Sequence, residues 1–113
     1  SPWLERLDEI ELMAKSSSWL EASESLASLT SELDSLNKQI QETREMLDFL
    51  NEDWKILRKR LESSGIGPDS NERSSAERAL AMAEEALSEG RMENCLDAIG
   101  RADSAMESLR RRV

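Results

Sequence analysis

Between Leu26 and Leu61 the apolar positions alternate at steps of three and four without a slip: Leu26, Leu29, Leu33, Leu36, Ile40, Thr43, Leu47, Leu50, Trp54, Leu57 and Leu61. Only Thr43 among them is polar. A repeat of 3.5 residues held over this length predicts a helix with a coiled-coil seam rather than an ordinary amphipathic helix. Trp19 and Ala22 carry the same phase backward. A helix over 19–62 would be roughly 65 Å long at 1.5 Å per residue, more than the rest of a small chain can cover. The seam therefore predicts an apolar edge that seeks a partner helix.

Upstream, Trp3, Leu7, Ile10 and Ala14 make a second stripe in a different phase, widened by Leu4 and Met13. Ser1 and Pro2 suit a helix start, and a helix over 2–15 is expected. Ser16-Ser17-Ser18 is poor helix sequence, and Ser18 precedes Glu21 at capping-box spacing. This pattern predicts a turn at 15–18 and a new helix over 18–63. The alternative is a single helix passing through with a four-residue stutter.

The seam changes character along its length. Its flanks from Leu26 to Thr43 are polar (Ser25, Thr30, Glu32, Asn37, Gln39, Arg44), whereas Met46, Phe49 and Ile56 add apolar groups beyond it. A wider apolar face calls for two neighbours, so 46–61 is expected inside a three-helix bundle and 26–43 against a single partner helix. Gly65-Ile66-Gly67-Pro68-Asp69 ends the long helix. Asp69, Ser70 or Asn71 can cap a following helix over 71–89, striped by Ala76, Ala79, Leu80, Ala83, Ala86 and Leu87. Gly90 marks a left-handed stop. A last helix over 91–112 carries Met92, Cys95, Leu96, Ile99, Ala102, Met106 and Leu109. So short a turn makes these two helices an antiparallel hairpin.

The expected fold is thus all-α: a helical bundle with one long heptad-patterned helix and a C-terminal helical hairpin. One domain is expected, with 1–64 holding the short and long helices, 65–70 the loop, and 71–113 the hairpin packed on 46–61. The expected bundle core is Trp54, Leu57, Leu61, Phe49, Ile56, Leu80, Ala83, Leu87, Cys95, Ile99 and Met106. The expected interaction seam is Leu26, Leu29, Leu33, Leu36, Ile40, Leu47 and Leu50.

Composition agrees with helices. Of 113 residues, 35% are charged and 4% aromatic, with 4 Gly and 2 Pro. β-Branched residues are too scarce for a sheet. The net charge of −9 is unevenly spread: in residues 1–43 nine acids (Glu5, Asp8, Glu9, Glu11, Glu21, Glu24, Glu32, Asp34, Glu42) stand against Arg6, Lys15 and Lys38. That field repels nucleic-acid phosphates and anionic lipid heads. Two basic runs, Lys55 with Arg58–Arg60 and Arg110–Arg112, read as a solvated face and a helix C-terminus that complements its dipole.

Candidate chemistry changes little. There is no His, no phosphate-binding Gly loop and no nucleophile motif. The acid groups Asp8-Glu9-Glu11 and Glu84-Glu85-Glu89 fall outside the apolar stripes, so no catalytic residue, metal site, cofactor or small-molecule substrate is expected. Cys95 is the sole cysteine, which excludes an internal disulfide and fits a reducing, cytoplasmic setting. No apolar run reaches the roughly 20 residues of a membrane span. The first residue is Ser, not Met, which points to a piece of a longer chain.

The stretch AEEALSEGRMENCLDAIGRA, residues 83–102, resembles a tetratricopeptide hairpin, with Gly90, Cys95, Ile99 and Ala102 at that family's turn, small, large and Ala positions. Met92 stands where the family has Tyr. This resemblance implies protein–protein interaction. LNEDWKILRKRLE, residues 50–62, resembles the third helix of a spectrin repeat, where Trp sits on a core seam before a basic stretch.

The functional expectation is a non-enzymatic interaction or assembly domain acting through the seam. Its partner is another protein or a second copy of the chain, most simply as a homodimer. Glu32, Arg44, Asp53 and Arg58 would tune the pairing, and parallel and antiparallel arrangements both remain open. The alternative is an adaptor or chaperone-like module that takes an amphipathic client segment at the hairpin, near Met82, Met92 and Met106.

Overall fold

The computed structural model describes residues 2–113 and contains three helices, with no strand among the described residues. α1 spans Pro2–Ser63, α2 Asn71–Ser88 and α3 Met92–Arg110. The expected helical cap at Ser1 lies outside the described residues. The expected turn at 15–18 does not occur: α1 runs unbroken through Ser16, Ser17 and Ser18. Serine costs only a few tenths of a kcal/mol against the best helix formers, about half the cost of Gly and far below that of Pro. Neither breaker is present there, so the backbone ladder continues and the two apolar stripes share one helix in different phases.

The chain divides into two units, Ser1–Lys38 and Gln39–Val113, with the division inside α1 rather than at the Gly/Pro loop. Within Ser1–Lys38 the described residues are helical throughout, and all but Ser23 are exposed.

Within Gln39–Val113, the last part of α1 packs with α2 and α3 in a three-helix arrangement. Both turns close in the same way. Gly65 sits at φ 83° and Ile66 N–H reaches back to the Leu61 carbonyl at 2.8 Å. Gly90 sits at φ 75° and Arg91 N–H reaches the Ala86 carbonyl at 2.9 Å. A left-handed residue with this back-bond satisfies carbonyls that the helix end leaves open, and Gly adopts it without a Cβ penalty. Ser70 then starts α2, its hydroxyl accepting from Arg73 N–H at 3.4 Å.

The core of this unit is the seam itself. Leu47, Leu50, Trp54, Leu57 and Leu61 are buried against Ala76, Leu80 and Ala83 of α2 and Cys95, Ile99 and Met106 of α3. The alanines let the helix backbones approach closely, so two neighbours fit over one stripe of α1. Leu87 is partly buried at the edge. Phe49 and Ile56, expected in the core, are instead 70% and 61% exposed. They stand about 120° round the helix from the seam at 100° per residue, and an alanine-lined hairpin need not reach that far.

Arg73 is a buried cation, 5% exposed. It donates to the Ile66 carbonyl at 3.3 Å and to Glu62 at 3.0 Å, with Glu77 at 3.6 Å. It thereby ties the 64–70 loop to both flanking helices. Its position extends the stripe Ala76, Leu80, Ala83 back one turn, which is why a polar residue there becomes buried.

Candidate interaction surface

The seam residues do not share one environment. Exposure falls from 65% at Leu26 through 51% at Leu29, 50% at Leu33 and 43% at Leu36 to 36% at Ile40, then drops to 3% at Thr43 and 0% at Leu47. In the Ser1–Lys38 unit, Leu26, Leu29, Leu33 and Leu36 meet solvent along one edge of α1. In the Gln39–Val113 unit, the same register is closed over by the hairpin from Thr43 onward. Leu47 and Leu50, expected on an open seam, thus belong to the bundle core. The Thr43 hydroxyl donates to the Gln39 carbonyl at 2.7 Å, so the one polar seam position is satisfied within its own helix and enters the core at little cost.

Two of the four flanking charges expected to tune pairing, Arg44 and Asp53, are engaged within the Gln39–Val113 unit. Arg44 donates to one oxygen of Glu84 at 2.6 and 3.0 Å, and Asn51 donates to the other at 3.2 Å. Asp53 accepts from Arg110 at 2.5 Å. Arg58 is half-buried. Glu32 is exposed, and the remaining flank positions beside Leu26–Ile40 are the uncharged Ser25, Thr30, Asn37 and Gln39. Apart from Glu32, the exposed edge is therefore a leucine stripe between neutral polar borders.

On the hairpin, Met106 is fully buried, Met92 half-buried and Met82 exposed. The expected methionine groove does not form as one surface, because Met106 fills the core. One hollow on that side has a volume of about 220 Å³ and is bordered chiefly by polar and charged groups, among them Glu85, Arg91, Asp97 and Arg101.

Cys95 is fully buried. Burial pushes its thiol above the ordinary range; the neighbouring Arg44 charge pulls it down and Glu84 pushes it up. The result is a neutral core thiol rather than a nucleophile. Among the described residues no three His, Cys, Asp or Glu side chains converge as metal ligands, and no helix is long and apolar enough to cross a membrane.

Two features escaped the sequence reading. Arg73 could have been found by carrying the α2 stripe one turn earlier. The Arg44–Glu84 pair joins residues forty apart and left no local signal.

No protein-family model, no curated protein and no solved structure matches this chain.

Proposed function

We propose that the chain is a non-enzymatic protein–protein interaction and assembly module that binds a partner helix along Leu26, Leu29, Leu33, Leu36 and Ile40. The partner carries a complementary 3.5-residue apolar repeat, and a second copy of the chain meets that requirement. One observation supports this reading above the rest. A single heptad register is sealed by the chain's own hairpin after Thr43 and lies open before it. Leucines in coiled-coil register gain nothing from water, and the buried half of the same seam is an example of what satisfies them.

The magnitudes fit a reversible contact. A Leu taken from full exposure to burial contributes about 1.5–3 kcal/mol, and these residues are already partly covered by their own helix. Five per chain give on the order of 10 kcal/mol gross for a pair, against an association cost of about 4–15 kcal/mol. Trp19 and Ala22, both exposed and in phase, lengthen the contact. Glu32 is the one charge on these borders, so charge selection is weak and shape and register chiefly decide the pairing.

The reading is tested by placing a carboxylate in the seam. Leu33→Glu should abolish binding of a partner helix along the seam, and reduce self-association by the seam's share, while circular dichroism and cooperative unfolding of the bundle stay as in the native chain. Equal association by the native chain and the variant would refute the seam as the contact.

A further inference from the structure

Phe49 and Ile56 lie on the face of α1 turned away from the buried seam, seven residues apart and largely exposed. Charges flank them in a fixed order. Glu42 and Glu45 precede Phe49, and Lys59 and Arg60 follow Ile56. Among the described residues none of these four enters an ion pair within the chain. Glu52, midway between, is already paired with Lys55 at 3.0 Å.

An order of acid, apolar, apolar, base becomes its own complement when reversed. We propose that this face binds the same face of a second copy, antiparallel, about a two-fold axis near residues 52 and 53. In that arrangement Phe49 packs on the partner's Ile56, and Ile56 on the partner's Phe49. Antiparallel helices bring like-placed flanks together, so Glu45 meets the partner's Lys59 on one side, while Glu42, in line with Phe49, lies within reach of the long side chain of the partner's Arg60, each contact occurring twice. At the axis Glu52 approaches the partner's Glu52 on one flank and Asp53 the partner's Asp53 on the other, and the chain's own Lys55 on Glu52 and Arg110 on Asp53 moderate both approaches. A contact in which each copy presents the same patch is the isologous geometry of two-fold dimers. A parallel arrangement would set Glu45 and Glu42 against their own copies and Lys59 and Arg60 against theirs, which is repulsive.

This contact stands independently of the seam. Two apolar side chains per copy and four exposed ion pairs make it weak and sensitive to salt. Where the seam is also paired with a second copy, two different two-fold contacts on one chain extend an assembly instead of closing it.

The test uses the full chain carrying Leu33→Glu, which removes the seam contact. Sedimentation equilibrium should show a reversible monomer–dimer equilibrium that weakens with added salt. Ile56→Glu should abolish it. Glu45→Lys alone and Lys59→Glu alone should each weaken it about threefold or more, and the double variant should restore it, because each swapped pair is attractive again. A swap that merely damaged folding would show in circular dichroism and would not be rescued. A strictly monomeric Leu33→Glu chain, a dimer indifferent to Ile56→Glu, or a double swap no better than the singles would overturn the proposal.

Discussion

Arg44 holds Glu84 with two nitrogens on one carboxylate oxygen, at 2.6 and 3.0 Å, one residue beyond the point where the leucine seam passes from solvent into the core. This pair and the Asn51 bond fasten the turn end of the hairpin to α1, while Arg110 on Asp53 fastens α3. The polar clasp lies beside the seam and leaves its apolar edge free of charge.

The clasp is partly exposed, at 40% and 44% of the two side chains, so its contribution is small. A double-mutant cycle with Arg44→Ala and Glu84→Ala, read by urea unfolding, should give a coupling of about 0.5–1 kcal/mol that shrinks in high salt. A coupling several times larger would mean the pair is far less hydrated than its exposure indicates.

Arg73 should matter more, because its side chain is buried and holds the Ile66 carbonyl and Glu62. Arg73→Ala removes that donor and is expected to cost about 2 kcal/mol in chemical denaturation. Arg73→Lys should recover only part, since an ammonium lacks the fork that reaches both acceptors.

The two halves of the seam should respond oppositely to the same truncation. Leu47→Ala empties a fully buried site and should destabilise the bundle by about 2–5 kcal/mol. Leu29→Ala, on the exposed half, should leave bundle unfolding at low concentration nearly unchanged and weaken association. Thermal melts at two protein concentrations separate these effects, since only an associating chain melts higher when concentrated.

This contrast also marks how far the sequence carries. The heptad register, the Gly/Pro loop and the Gly90 stop were legible because each rests on local chemistry: side-chain period, breaker residues and a left-handed backbone. The burial of Trp54, Leu57, Leu61, Leu80, Ala83, Cys95, Ile99 and Met106 followed from the same stripes. What the pattern did not supply was which apolar residues find neighbours. Phe49 and Ile56 widen the apolar surface of α1, yet the hairpin covers only the seam edge. Leu47 and Leu50 look in sequence like Leu33 and Leu36, and only the reach of α2 and α3 separates them. The serine run at 16–18 misled because low helix propensity weakens a helix without ending it.

Cys95 links burial to pH. Its thiol is raised chiefly by desolvation, so the folded chain favours the neutral form. That preference is fully present below the pKa of an unfolded thiol, about 8.5, and is lost as pH rises through the folded value. Urea midpoints should therefore fall between pH 7 and pH 10 more steeply for the native chain than for Cys95→Ala. Thiol-labelling reagents should react with Cys95 only as fast as the bundle opens.

The central claim is that the leucine edge from Leu26 to Ile40 is an open contact surface, and sedimentation equilibrium of the native chain beside Leu33→Glu tests it most directly. The native chain should show a mass that rises with concentration above the 12.8 kDa of one copy, with the rise reduced or absent in the variant. A single-chain mass for both at every concentration, or the same rise in both, would contradict it.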